Sequence, residues 1–503
     1  MKFESMLRRE ILMAGAAALL FAAGCGGSEA DGAEGEPLDC EVAIVGGGPG
    51  GLHTAFRLAP TLKAGVCLFE REATLGGRIH DVPFDEQDPE GPRVGVGARR
   101  VMEGQEVLFA LAEELGLELQ TPGPAIDLIN ARGTFAFTKD ELVPLYPGMP
   151  LDQDPDLDQE TWLYDQLRFG PERANADKYP DFRSYAQAVI GSEGHAFLRD
   201  MSRFRADFDY PLDARGYLDY LDEEWDVCCT PSYPVGGMSR FIVGMQAAAE
   251  KAGARVFTEE PVTEIRRAEG GGYALTTAKY AVTARKVVIA APPVAVDLMS
   301  GDLVEEIRAQ PAYQDIIAVP VVTITQWWPT AWWADIVNPN LDADNHVWRA
   351  WTTEHCLNFI EIPNDDYAAA QKVTRSVYDD ELDCTNFWEE VARDGTEAVE
   401  EEVRRGLLHL FNENGITEPA KVTIPKPVKT HVQVWPAAWH WLSAGASVTN
   451  AELFEWATQP LKGEDVALVG EAYNVQRSGW SDGAYKSSIN LLNKRYGMKL
   501  PGL

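Results

Sequence analysis

Gly46-Gly47-Gly48-Pro49-Gly50-Gly51 lies between an apolar run, Val42-Ala43-Ile44-Val45, and a helical stretch, Leu52 to Leu58. Read as Gly46-x-Gly48-x-x-Gly51, with a strand before it and a helix after, it is a dinucleotide-binding fingerprint. Gly46 permits the tight turn, Gly48 lets the backbone approach a pyrophosphate, and Gly51 lets helix and strand pack together. Gly50 opens the helix, whose free N–H groups and positive dipole end favour phosphate. Val66-Cys67-Leu68-Phe69 reads as the next strand, and Glu70 stands at its end, where an acid binds a ribose hydroxyl. Glycine-rich turns are common; the ordered set of strand, turn, helix, strand and acid is not.

The chain has 503 residues, 45% hydrophobic and 24% charged, enough for two or more domains. Its net charge of -34 argues against a nucleic-acid partner, whose phosphates need a basic surface. Residues 1–25 read as an export signal rather than part of the fold. Arg8-Arg9 precede an apolar run ending near Ala23, and Ala22-Ala23-Gly24-Cys25 resembles a lipoprotein processing site. The paired arginines resemble a twin-arginine signal, and a plain cleaved signal is the alternative. The expectation is an exported, periplasmic or outer-envelope protein, touching a membrane only through an N-terminal lipid. Residues 26–37 lack bulky apolar groups and read as a tether. Cys40, Cys67, Cys228, Cys229, Cys356 and Cys384 follow without zinc-motif spacing, so no metal site is expected; an oxidising compartment would let them pair, in no order the spacing fixes.

The organisation is discontinuous. Gln105 to Leu115 and Phe241 to Ala252 have helical spacing. Lys286 to Ala291 is an apolar run expected of a buried parallel strand, and Val466 to Val469 is another, leading into Gly470-Glu471 and a helical tail. Further strands are expected at Ala254–Phe257, Val262–Ile265, Ala318–Thr325, His346–Thr352, Leu357–Ile362 and Thr430–Trp435, with helix across 386–411. The nucleotide domain is assigned to 38–121, 232–299 and 455–503. A second domain takes 122–231, rich in proline and aspartate, and 300–454.

Four motifs follow one another: the glycine fingerprint with Glu70, then Leu75-Gly76-Gly77-Arg78, then Gly236-Gly237-Met238, then Gly470-Glu471 with Gly479-Trp480-Ser481-Asp482-Gly483-Ala484. This order resembles the flavin-containing amine oxidase family, of monoamine, polyamine and L-amino acid oxidase type, and lies nearest the L-amino acid oxidases. The resemblance implies an α/β fold with a Rossmann-like domain of the FAD/NAD(P)-binding kind and a second, α+β substrate domain. It implies FAD as cofactor. Glu70 would hold the adenosine ribose with Arg71 beside it, and the Val262 backbone would meet adenine. Gly77 and Arg78 would lie at the pyrophosphate or flavin, Glu471 near the ribityl or pyrophosphate segment after Gly470, and Asp482, Gly483 and Ala484 at a helix start facing the cofactor.

On the substrate side, Gly97-Ala98-Arg99-Arg100 resembles a segment whose arginine grips a carboxylate in L-amino acid oxidases. Arg100 aligns best; the alternative is that the arginine pair binds FAD phosphates. Thr352 to Asn364 resembles a further stretch of those enzymes, with Asn358 where they can carry arginine. Trp480 falls where the family places an aromatic beside the flavin ring; the other aromatic wall of monoamine oxidases maps to Ser447, and this missing wall argues against a monoamine-type cage and favours an amino-acid-type pocket. Trp327-Trp328-Pro329-Thr330-Ala331-Trp332-Trp333 either lines an apolar cavity or packs the second lobe. Family oxidases carry a lysine on the strand corresponding to Ala318–Thr325, tied to oxygen reactivity; no lysine occurs from Val287 to Gln371. Oxygen or another acceptor would then reoxidise the flavin. No cysteine lies near Gly445-Ala446-Ser447, so FAD is expected to be non-covalent. The implied activity is oxidation of an amine or L-amino acid to an imine. The alternatives are a desaturase or isomerase of the carotenoid or protoporphyrinogen oxidase type, and a non-catalytic FAD-binding protein. A homodimer is a further expectation.

Overall fold

Val42–Val45 is the buried end of a longer strand, Glu36–Val45, whose first half is largely exposed. The computed structural model describes residues 35–502 apart from 89–90, 124, 153, 155, 227–229, 337–347, 363–371 and 420. The signal at 1–25, the tether up to 34, Cys228, Cys229, His346 and Pro363-Asn364 therefore lie outside the described residues.

Glu36–Val45 runs parallel to Val66–Phe69 on one side and to Tyr280–Ile289 on the other. Arg255–Phe257 extends the sheet beyond Val66–Phe69, and Val466–Leu468 joins it alongside Tyr280–Ile289, both in parallel. Tyr273–Thr276 and Glu264–Arg267 add an antiparallel pair. The register aligns Val45 with Phe69 and Ile289, and Ile289 with Leu468. Hence Gly46, Glu70, Ala290 and the Val469–Gly470 turn all leave the sheet at its carboxyl edge, where open α/β sheets bind their ligands. Helices Pro49–Leu62, Ser239–Lys251 and Ser481–Tyr496 cover one face through Leu52, Phe241, Met245, Tyr485 and Ile489. Continuous apolar strands suit a sheet covered on both faces.

The other face is closed by Val304, Ile307 and Tyr313, packed with Phe69 and Ile289. The segment 302–314, expected with the second lobe, thus packs against the first. Glu36 and Pro37, expected in the tether, already belong to the first strand. A disulfide joins Cys40 to Cys67 on adjacent strands.

The second lobe is built on a mixed sheet in the order Lys429–Leu442, Ile316–Trp327, Val373–Asp379, Asn358–Glu361, Trp348–Thr352, Ile126–Ala131, Thr134–Ala136. The region 122–231 thereby contributes two strands as well as loops and helices. Its helices Gln159–Phe169, Phe182–Met201 and Ala214–Asp226 bury Leu163, Phe197 and Leu218 against Val319, Trp439 and Trp441 of the sheet. On the opposite face Trp328, Trp332 and Trp333 pack with Trp348, Trp388 and Phe411. The tryptophan run is therefore a core feature. It anchors helices Leu382–Arg393 and Thr396–Asn412, and a second disulfide, Cys356–Cys384, ties the first of these to the sheet's edge loop. Among the described residues no helix is long and apolar enough to cross a membrane.

Candidate active site

The cofactor cradle begins at the glycine loop. A side chain at Gly51 would lie 2.1 Å from the Gly46 carbonyl oxygen, and one at Gly50 would lie 2.8 Å from Val469, so both glycines are required by packing. Gly48 differs. Its backbone is extended (φ -68°, ψ 177°), it caps Pro49–Leu62 without a side-chain bond, and a β-carbon there would meet nothing within 4 Å. The first N–H groups of a helix have no intrahelical partner. Here no protein atom stands within 4 Å of where a Gly48 β-carbon would be. Gly77, at φ 54°, packs closely against Gly48: a β-carbon on it would lie 3.4 Å from the Gly48 Cα.

Glu70 is buried at the end of its strand. Its Oε2 accepts from the Gly47 N–H at 2.7 Å and its Oε1 from the Glu72 N–H at 3.0 Å. Each oxygen keeps lone-pair capacity for a ribose hydroxyl. The Glu260 N–H donates to the Glu70 carbonyl, which brings Pro261 and the buried Val262 beside this end of the sheet. Arg71 is exposed and pairs with Glu72 at 2.9 Å.

Arg78 and Glu471, both of the first lobe, meet beside Ala438 and His440 of the second. Arg78 Nη1 donates to Glu471 Oε2 at 2.7 Å and to the Ala438 carbonyl at 2.7 Å. Glu471 also accepts from the His440 N–H, the Gly479 N–H and His440 Nδ1. Burial alone would raise this carboxyl; the Arg78 and His440 charges and hydrogen bonds outweigh it and hold the pKa at about 2. Burial lowers His440, so the neutral ring with Nδ1–H is assigned from its bond to Glu471. Gly470, at φ 148°, supplies the turn into Glu471. Asp482, Gly483 and Ala484 occupy the first turn of Ser481–Tyr496, with Ala484 O facing Gly50. Neither Asp482 oxygen has a hydrogen-bond partner among the described residues, although the side chain is fully buried. Burial raises its pKa against the pull of Arg477 and Lys486. The open space before Gly48, the uncapped helix, the two-handed Glu70 and this orphaned carboxyl fit a bound dinucleotide flavin.

A second cluster lies over Trp480. The Arg100 guanidinium sits 5.8 Å from the Trp480 ring centroid, and its Nε is buried without a partner among the described residues. Glu361 is the anion at the centre. Arg99 lies 2.8 Å from it, Arg100 3.7 Å and Arg375 3.8 Å, and Tyr233 donates its hydroxyl at 3.1 Å. Arg99, the neighbour in the pair, is thus hydrogen-bonded to Glu361, whereas Arg100 and Arg375 stand farther off, each with a buried Nε that has no partner among the described residues. Arg203 packs over Phe204 and Phe359. Burial first, and then the Arg100 charge, draw Arg203 down to about 10. Trp480 Nε1 donates to Glu224 Oε2 at 2.7 Å, and burial raises that carboxyl to about 7 against the Trp480 bond and the Arg203 and Arg477 charges.

Ser447 supplies no aromatic wall: it is exposed on a loop and bonded to Asp315 through its N–H and hydroxyl. The buried Trp439 lies near Trp480, its Cβ 4.0 Å from where a β-carbon at Gly479 would be. Its neighbours Ala438 and His440 are the groups that hold Arg78 and Glu471. In the sequence Trp439 is only one aromatic among several near a predicted strand. Arg203 and Glu224 carry no motif at all, and Glu361 is marked only as part of the Thr352–Asn364 resemblance. The strand Ile316–Trp327 places two buried hydroxyls, Thr323 and Thr325, in the stretch where the family's lysine is expected; Thr323 donates to the Val96 carbonyl.

Comparison with known proteins fits this geometry. Residues 49–490 match the family described as flavin containing amine oxidoreductase. The chain belongs to this family. A solved structure of a putrescine oxidase with bound putrescine is similar at 15% identity, covering 92% of this chain and 100% of that one, with a TM-score of 0.64. Cyclohexylamine oxidase from Brevibacterium oxydans is similar at 16% identity, covering 90% of this chain and 97% of that one, with a TM-score of 0.63. These likenesses are of fold. A search of curated proteins finds no match. As a flavin-containing amine oxidase the protein is an FAD-dependent oxidoreductase that oxidises an amine. The desaturase, isomerase and non-catalytic readings give way to it.

Proposed function

We propose that this amine oxidase acts on an L-amino acid, a small amine that carries a carboxylate next to its C–N bond. The observation that carries the proposal is Arg100, a half-buried cation with an unpaired Nε directly over Trp480. A guanidinium fork holds a carboxylate by two parallel hydrogen bonds and so fixes its orientation. Arg203 supports it with a second cation that burial has already made less comfortable as a charge. Glu361 holds Arg99 by a hydrogen bond at 2.8 Å, whereas Arg100 stands 3.7 Å off and is the one of the three that lies over Trp480. Trp480, held by Glu224, and Trp439 flank the carbon to be oxidised. FAD, when bound, supplies the acceptor for the hydride of the C–H beside the amine. The chain's own task is to orient that carbon and to keep water away until the imine leaves. Glycine loop, Glu70, Val262, Arg78, Glu471 and the start of the last helix hold the cofactor, without a covalent bond.

Arg100→Met is expected to raise KM for L-amino acids by about 100-fold, the loss of a charge-assisted bidentate contact of roughly 3 kcal/mol. It should leave the KM of simple amines within about twofold on the same argument. Steady-state kinetics with a matched pair, one amino acid and its decarboxylated amine, decide the point. Equal effects on both would remove the carboxylate role.

We further propose that the protein is exported and anchored through Cys25. The Ala22–Cys25 site and the disulfides Cys40–Cys67 and Cys356–Cys384 support an oxidising compartment. Cys25→Ser should move the protein from the membrane fraction to the soluble fraction on cell fractionation. An unchanged distribution sinks the anchor.

A further inference from the structure

His355 has no part in the active site. It lies instead at the far edge of the second lobe, with Glu354 and His409 of helix Thr396–Asn412. One ligand-capable atom from each of Glu354, His355 and His409 lies within 4.8 Å of the others. The two imidazole centroids are 5.0 Å apart.

His409 is bracketed by carboxylates. Its Nδ1 meets Glu413 Oε2 at 3.0 Å and its Nε2 meets Glu354 Oε2 at 2.6 Å. When Nδ1–H donates to Glu413, Nε2 presents a lone pair on the same side as a Glu354 carboxylate oxygen, an arrangement that a cation ligated by both would stabilise. A carboxylate behind the far nitrogen is the common outer partner of a metal-bound histidine. A fully buried amide gives the independent observation. Asn130 directs Nδ2 at Glu354 Oε2 (3.1 Å) and His409 Nε2 (3.4 Å), while its Oδ1 is buried without a partner among the described residues. Exchanging amide oxygen and nitrogen, which are assigned from their surroundings, turns the oxygen toward the same two atoms and the Thr352 hydroxyl (3.3 Å), where it could ligate a cation held by Glu354 and His409. The nearby Arg405 is paired with Glu402.

We propose that Glu354, His355, His409 and the Asn130 carbonyl form a binding site for a divalent transition-metal ion, best suited to Zn2+. Two imidazoles and a carboxylate satisfy its preference for nitrogen and oxygen donors in a four-coordinate shell. The ion would join the strand Ile126–Ala131, the loop after Trp348–Thr352 and helix Thr396–Asn412. Gly406 lets that helix approach: a β-carbon there would sit 3.2 Å from the His355 Cβ. The sequence hides the site because its histidines are far apart along the chain.

The test uses chelator-treated, FAD-loaded full-length protein, titrated calorimetrically with Zn2+ and separately with Co2+ while visible spectra are recorded. One Zn2+ per chain, four-coordinate Co2+ bands and a higher Tm with Zn2+ are expected. Glu413→Gln should weaken Zn2+ binding by about 10- to 100-fold. His355→Asn should abolish the Co2+ bands; asparagine tolerates the left-handed backbone that His355 adopts at φ 60°. Absence of Zn2+ binding, or Co2+ bands unchanged in His355→Asn, overturns the proposal and leaves His409 as an imidazolium shared by Glu354 and Glu413.

Discussion

Gly48→Val is expected to give a folded, soluble protein that has lost its flavin. The backbone at Gly48 is extended and open to any residue, and a β-carbon there meets no protein atom within 4 Å. What the side chain enters is the open side of Gly48, in front of the first turn of Pro49–Leu62. A ligand forced against a valine there meets an overpacking cost of about 3 kcal/mol or more, roughly a hundredfold in affinity. The absorbance ratio of flavin to protein after purification reads the effect directly. Tm should fall only by the part that ligand binding contributes, and added FAD should no longer raise it. Gly51→Val makes the contrast. Its β-carbon would lie 2.1 Å from a backbone oxygen and 2.8 Å from the Ala290 side chain, so that variant should fail to accumulate as folded protein. Gly48→Val purified with stoichiometric FAD would show that the pyrophosphate lies elsewhere.

These two glycines also show what the sequence discloses. The fingerprint is a contiguous demand on the backbone, and each glycine answers a close approach or an open space only a few residues away. The buried strands are legible for the same reason: four or more apolar residues in a row leave little choice. The substrate side is different. Arg100 and Trp480 are legible only through the motifs that carry them; Arg203, Glu224 and Arg375 come from widely separated segments, and each alone reads as an ordinary surface charge. The buried stretch around Trp439, tied by Ala438 and His440 to Arg78 and Glu471, is fixed by hydrogen bonds that no count along the chain reveals.

Glu361→Gln is expected to be among the most destabilising single-atom-scale changes in the molecule. The carboxylate is buried with three guanidiniums around it, and Arg99 and Arg375 are as enclosed as Glu361 itself. Burial disfavours the charged carboxylate, but Arg99, Arg375 and Arg100 outweigh this and hold its pKa well below the ordinary value. Glutamine keeps the shape and the Tyr233 contact and removes the charge. Three cations then remain without their shared anion, and breaking a buried pair in this way costs about 3–5 kcal/mol. Tm should fall by several degrees, and Arg375→Met in the same chain should recover part of the loss by removing one stranded cation. The pH dependence has a definite sign. A carboxyl whose pKa is depressed on folding contributes stability that is complete above its unfolded pKa and disappears as pH falls through the folded value. The wild-type protein should therefore lose this contribution progressively below about pH 4, and the Glu361→Gln variant should lack that part of the acid slope. A variant that melts with the parent and follows the same acid profile would mean that solvent, rather than Glu361, neutralises the arginines over Trp480.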